Sequence, residues 1–277
     1  MYDRKLFHTW SQGESGFDTV IRNDGKYEFL ELNQFARTGV AEGYYSTRRG
    51  GLEINLYKKL RLEEGQVGFR KFCEMIGVNP DRIITNRLTA ITSDVRVVGE
   101  ADLIDIYDEP LAPRADALVT NEKDLTLFLY AADCPLVYFL DPYRQVIALA
   151  HASWRTILKG VLDNTLHTME SVFGVSPWNM IVAIGPAIGA CCFEVGEEVA
   201  EQFELEGFGD LIVRRRGEKP HLDLYGIVAE ALMRRGINES RISVMRGTCT
   251  VCDNDRFESF RASKGNNALN GAFLTLR

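Results

Sequence analysis

Two apolar runs separated by a four-residue turn constrain this chain more than any other segment. Leu136-Val137-Tyr138-Phe139-Leu140 and Val146-Ile147-Ala148-Leu149-Ala150 flank Asp141-Pro142-Tyr143-Arg144. Runs of this length, rich in β-branched and aromatic residues and bounded by turn formers, read as the two buried strands of a hairpin. Each strand meets a polar motif at one end: Ala131-Ala132-Asp133-Cys134-Pro135 precedes the first, and His151-Ala152-Ser153-Trp154-Arg155 closes the second. Pairing the strands brings Cys134 and His151 to the same edge of a sheet. A thiolate beside an imidazole either holds a transition metal or forms an activated nucleophile. Asp133 and Arg155 add charge at the ends of apolar strands, where charge needs a reason.

Strands and helices are mixed along the rest of the chain without strict alternation. Residues 16–32 read as a hairpin turning at Asn23-Asp24-Gly25. A helix is predicted over Glu63–Ile76 with Gly77 as its stop, and strands over Ile83–Thr85, Val95–Val98, Ala117–Thr120 and Leu125–Ala131. The longest periodic segment predicts a single helix over Thr156–Phe173, closed by Gly174. A strand Met180–Ile184, helices over Glu197–Phe203 and from an Asp223 cap to Arg235, and strands Ile242–Arg246 and Gly271–Leu276 complete the expectation. Ser46-Thr47-Arg48-Arg49-Gly50-Gly51 reads as a loop. This order favours an α+β sandwich of mixed sheets, one domain over residues 1–277, rather than a doubly wound sheet.

Bulk properties exclude several classes. A net charge of -7 argues against nucleic acid as the main partner, because phosphate backbones call for a basic face. No apolar stretch approaches the roughly twenty residues of a membrane span, and Met1-Tyr2-Asp3-Arg4-Lys5 lacks a signal peptide's apolar core. The six cysteines are sparse for 277 residues and read as cytosolic thiols. A cytoplasmic location follows as an expectation.

Three further segments carry reactive side chains. Gly185-Pro186-Ala187-Ile188-Gly189-Ala190-Cys191-Cys192-Phe193-Glu194-Val195-Gly196 is a glycine-bounded loop between a strand and a helix. Its amides could hold an anion, or it is a plain connector. Cys191 and Cys192, being adjacent, are expected to point apart and not to share one metal. Cys249-Thr250-Val251-Cys252 suggests zinc or redox chemistry, but without a second such pair or a downstream histidine a zinc ribbon is disfavoured, and these read as structural thiols. Arg48 and Arg261 sit beside Ser and Thr, where each could bind phosphate in bidentate fashion or serve an ion pair.

Taken together, Tyr45-Ser46-Thr47-Arg48-Arg49-Gly50-Gly51, the Asp116-Ala117-Leu118-Val119-Thr120-Asn121 strand leading to Ala132-Asp133-Cys134 and His151-Ala152-Ser153-Trp154-Arg155, the Gly185–Gly196 loop, and Cys249-Thr250-Val251-Cys252 through Ser259-Phe260-Arg261 resemble the YfiH-type laccase-domain family, also called polyphenol oxidase-like or purine nucleoside phosphorylase family proteins. The resemblance spans roughly residues 40–277, with 1–40 the least family-like part. It implies a single α+β domain of the YfiH type and a zinc-containing enzyme that phosphorolyses purine nucleosides and deaminates adenosine. It further implies catalytic roles for Cys134, His151 and Asp133, substrate or phosphate contacts from Arg48, Arg155, Glu194 and Arg261, and zinc ligation by Cys134 and His151.

The family's third zinc ligand, the histidine of a Q-x-H motif, does not map: Thr89 and Ile91 stand in place of the glutamine and histidine, and Thr156 replaces the second glycine after the Trp-Arg pair. A catalytic zinc normally keeps three protein ligands. The chain can therefore be read as a degenerate binding protein, as an enzyme recruiting His221 or Asp94 instead, or as a metal-free Cys-His hydrolase. Laccase chemistry itself is excluded, since a multicopper centre needs about ten imidazole ligands and the chain has 4 histidines.

Overall fold

The computed structural model describes residues 19–23, 28–50, 63–86, 92–104, 112–244, 249–264 and 268–277. In chain order the elements are β1 (Thr19–Asn23), β2 (Glu28–Leu32), α1 (Asn33–Ala36), β3 (Ala41–Ser46), α2 (Glu63–Met75), β4 (Ile83–Thr85), β5 (Val95–Val97), β6 (Ala117–Thr120), β7 (Thr126–Ala131), β8 (Leu136–Asp141) and β9 (Val146–His151). They continue with α3 (Trp154–Leu158), α4 (Val161–Phe173), β10 (Ile181–Ile184), α5 (Glu197–Leu205), β11 (Ile212–Val213), β12 (His221–Leu222), α6 (Leu224–Arg234), β13 (Ile242–Val244) and β14 (Asn270–Leu276). One six-stranded sheet has the order β1-β2-β3-β14-β7-β4; the other runs β13-β10-β8-β9-β6-β5, and β11-β12 forms a small ribbon. Both large sheets are mixed, with parallel pairs at β4–β7, β5–β6 and β10–β13 among antiparallel ones.

The two sheets pack face to face, and each is covered on its outer face by helix. Leu127, Leu129 and Leu274 join the main core between the sheets, whereas their strand neighbours Phe128, Tyr130 and Phe273 join Phe69, Phe72 and Cys73 of α2 on the outer face. Phe128 and Phe273 stack with centroids 4.5 Å apart, and Phe69 meets Phe128 edge-on at 5.4 Å. On the other side, α4 buries Val161, Leu162, Leu166 and Met169. Strands buried on both faces have no reason to alternate, which is why β7, β8 and β9 read as continuous apolar runs.

Most predicted elements are present, and the differences have local causes. The Thr156–Phe173 helix is two: α3 ends at Leu158 and α4 begins at Val161, because Gly160 adopts φ +81, a left-handed conformation outside the helical range. Ser153 caps α3 by accepting from the Thr156 amide at 3.2 Å, so that helix starts two residues earlier than predicted. Strand β3 was not anticipated, because Ala41-Glu42-Gly43-Tyr44-Tyr45-Ser46 lacks an apolar run. Gly43 stands where a Cβ would fall 2.8 Å from Leu32 Cδ1, letting β3 pass close to β2. Ser46 closes this strand and Arg48–Gly50 is a 3-10 turn, where a plain loop was expected. The predicted turn residues Asp24 and Gly25, the strand end at Arg246, and Thr89 and Ile91 lie outside the described residues.

Candidate active site

The hairpin delivers Cys134 and His151 to one edge, as its spacing implied. Leu136 pairs with His151 across β8 and β9, and the Ala152 amide donates to Pro135 O at 2.9 Å. Asp141 shapes the far end by accepting from the Tyr143 and Arg144 amides at 2.9 and 3.1 Å. At the near end, the Cys134 thiol hydrogen-bonds the His151 imidazole.

The third member of this group is Asp116, the residue immediately before β6. Its Oδ1 lies 3.4 Å from His151 Nδ1, while its Oδ2 accepts from the Thr92 and Ser93 amides, both at 2.9 Å. Burial opposes the Asp116 charge, yet hydrogen bonds from His151 and from these amides hold its carboxyl below the ordinary carboxylate value. Burial likewise opposes charge on His151, but the Asp116 and Cys134 contacts outweigh it and push the imidazole up to about 9. The result is a Cys–His–Asp line-up in which the Asp116 carboxylate favours the charged form of the imidazole. The sequence signal for Asp116 was a carboxylate abutting the apolar Ala117-Leu118-Val119 run.

Asp133 knits together the loops behind Cys134. Its Oδ1 accepts from the Thr250 hydroxyl at 2.6 Å, its Oδ2 from the Arg261 amide at 2.7 Å, and its carbonyl from the Ile188 amide at 2.9 Å. It does so at φ +71, a left-handed conformation that Asp tolerates better than most residues. Below the Gly185–Gly196 loop, the Tyr45 hydroxyl donates to Pro186 O at 3.1 Å, and the Ala187 amide donates to the Tyr225 hydroxyl at 2.6 Å. Gly185 permits this packing: a Cβ there would sit 3.1 Å from Leu136 O and 3.2 Å from the Tyr45 ring.

The predicted arginines are mostly committed. Arg261 donates through Nη1 to Cys192 O and through Nη2 to Glu194 O, both at 3.1 Å. Arg48 donates to Asn254 O at 2.8 Å and pairs with Glu258 at 3.4 Å, with 47% of its side chain exposed. Arg155 lies over the Trp154 ring at 4.1 Å, on the exposed side of α3. The Glu194 carboxylate pairs with Lys219 at 3.4 Å. Thr156, which stands at the family's glycine position, donates to His151 O at 2.9 Å and so braces the end of β9. A cavity of about 370 Å³ is lined by Leu158, Asp163, Phe208 and Arg234, and neither Cys134, His151 nor Asp116 is among its lining residues.

The expectation for Cys191 and Cys192 is overturned. A tight turn in which the Cys192 and Phe193 amides both donate to Gly189 O swings the two thiols to one side. Their Sγ atoms lie 3.6 and 3.4 Å from Cys252 Sγ, and the sulfurs of Cys191, Cys192, Cys249 and Cys252 all fall within 4.8 Å of one another. This is the group of three or more potential metal donors among the described residues. Neither His221 nor Asp94 joins Cys134 and His151 in such a group.

The fold agrees with the comparisons. The chain belongs to the family described as multi-copper polyphenol oxidoreductase laccase, whose pattern matches residues 37–276. It is 31% identical over 230 residues to the Escherichia coli protein named purine nucleoside phosphorylase YfiH, covering 79% of this chain and 87% of that one. A Bacteroides thetaiotaomicron protein named purine nucleoside phosphorylase is 36% identical over 149 residues, which is 53% of this chain and 55% of that one. The crystal structure of YlmD from Geobacillus stearothermophilus superposes with a TM-score of 0.85 at 25% identity, covering 94% of this chain and all of that one. No helix among the described residues is long and apolar enough to cross a membrane.

Proposed function

We propose that this protein is a purine nucleoside phosphorylase working at the Asp116–His151–Cys134 group. Inorganic phosphate attacks C1′ of the ribose, the C1′–N9 bond breaks, and the products are ribose 1-phosphate and the free base. A leaving purine needs a proton and the incoming phosphate needs a cation nearby. The observation that carries the reading is the buried pair itself: Asp116 Oδ1 lies 3.4 Å from His151 Nδ1, a placement that favours the protonated imidazole, so that one side chain can supply either. Arg48, with 47% of its side chain exposed, is assigned to phosphate, while Asp133, Arg261 and Glu194 shape the wall behind Cys134. Arg155 is the second cation available to substrate. The curated relatives carrying the phosphorylase name support the choice of reaction.

The catalytic zinc implied by the family resemblance does not fit the residues at this site. Cys134 and His151 supply two donors where three are the norm. The family's third place holds Ile91, which has no lone pair. The Asp116 carboxylate is engaged by His151 and two amides. No step is therefore routed through zinc, and adenosine deamination, which would need an activated hydroxide, is expected to be absent. The free thiols suit a cytoplasmic setting.

The Cys–His–Asp order also favours a second reading, a metal-free hydrolase with Cys134 as nucleophile. Incubation with adenosine or inosine, with and without phosphate, separates these readings. Base release that requires phosphate supports phosphorolysis. Release without phosphate, or rapid labelling of Cys134 by an alkylating agent at mild pH, supports the hydrolase. No turnover by folded protein sinks both, leaves a binding role, and makes Ile91→His the next variant to assay.

A further inference from the structure

The four cysteines behind the site form a cluster that phosphorolysis does not use. Two come from adjacent positions in the Gly189–Phe193 turn and two from the C-x-x-C of the 249–252 turn, chain segments about sixty residues apart. We propose that Cys191, Cys192, Cys249 and Cys252 bind one zinc ion that clamps these two loops together.

Three observations support the assignment. The first is distance. Four thiolates around a tetrahedral zinc at about 2.3 Å place their sulfurs about 3.8 Å apart. The observed separations of 3.4 and 3.6 Å, with all four sulfurs inside 4.8 Å, match this spacing and lie far beyond the roughly 2 Å of a disulfide. The second is the backbone: the Cys192 and Phe193 amides both donate to Gly189 O and the Asp253 amide donates to Cys249 O, each at 2.9 Å, so that two tight turns present the two cysteine pairs to one another. The third is Gly189. A Cβ on it would lie 3.3 Å from Cys191 Sγ and 3.2 Å from Cys249 Cβ, so the space around the sulfurs depends on the absence of a side chain. The donor set of four soft sulfurs selects zinc or iron over harder cations, and a closed site of four protein ligands is structural rather than catalytic.

The clamp would reach the active site through short links. Thr250, next to Cys249, donates to Asp133 and through its amide to Ala187 O, and Arg261 ties Asp133 to Cys192 and Glu194. Fixing the thiols therefore fixes the turn that presents Cys134.

The test is metal analysis of the purified full-length chain. The wild type should carry one zinc per chain, and a Cys134→Ser/His151→Ala variant should keep it. A Cys191→Ser/Cys252→Ser variant should lose it. Where that variant does not fold, cobalt added to the reduced, metal-stripped wild type should give the charge-transfer and ligand-field bands of a tetrahedral four-thiolate site. The proposal is overturned by a wild type that holds no metal and takes up no cobalt, by zinc that leaves with Cys134 and His151, by iron in place of zinc, or by a mass showing a disulfide among these four residues.

Discussion

Replacing Asp116 by Asn tests the electrostatics of the site most sharply. In the wild type His151 is held up to about 9, against an ordinary imidazole value of 6.5, with its side chain only 13% exposed. That elevation corresponds to about 3 kcal/mol in favour of the protonated form. Asparagine has one acceptor oxygen where aspartate had two. The Thr92 and Ser93 amides claim that oxygen, turning the amide NH2 toward His151 Nδ1. The ring must then accept at Nδ1 and is driven neutral, with its remaining proton on Nε2. With the carboxylate gone, burial is opposed only by the Cys134 contact, and the imidazole should titrate well below its wild-type value. Stability follows the same sign. In the wild type the raised His151 contributes fully below pH 6.5 and its contribution is lost as pH climbs through about 9. The variant should lack this decline. With 4 histidines in the chain, imidazole resonances in nitrogen-15 NMR can be assigned by substitution and followed across the range. A His151 that still titrates near 9 in the variant would refute the argument.

Other predictions follow from single positions. Asp133→Ala should cost about 3 kcal/mol in urea denaturation, from two lost hydrogen bonds and a left-handed backbone that alanine resists, whereas Asp133→Asn, which keeps the turn preference, should cost about 1 kcal/mol; equal costs would remove the backbone argument. Gly185→Ala should destabilise by about 1–3 kcal/mol, because a backbone oxygen 3.1 Å away cannot yield as a side chain can; a neutral change in thermal midpoint would contradict that packing. The proposal that residues 1–277 are one domain predicts a single calorimetric transition, and two resolved transitions would refute it.

Much of the fold was legible because the strands around the site are buried on both faces and so appear as uninterrupted apolar runs. Cys134, His151 and their shared edge followed from two such runs and one turn. What escaped had local or long-range causes. The break at Gly160 leaves the 3.6-residue periodicity almost intact, so Ile157 and Val161 read as one helix. Strand β3 is held by β2 and β14 rather than by its own composition. The cysteine cluster joins residues about sixty positions apart, and the expectation that adjacent Cys191 and Cys192 point in different directions did not foresee the tight turn the chain makes there. Arg48 and Arg261 were read as phosphate-binding or ion-pair arginines, and the carbonyl and carboxylate partners they take come from distant loops that no spacing reveals.

The central claim is that the Asp116–His151–Cys134 group carries out phosphorolysis. Phosphorus NMR of inosine with inorganic phosphate, run side by side with wild type and with folded His151→Ala, tests it directly. The account predicts ribose 1-phosphate appearing in step with hypoxanthine for the wild type, and a rate lower by about 100-fold or more for the variant. Equal rates of ribose 1-phosphate formation would place the chemistry elsewhere in the molecule and contradict the account.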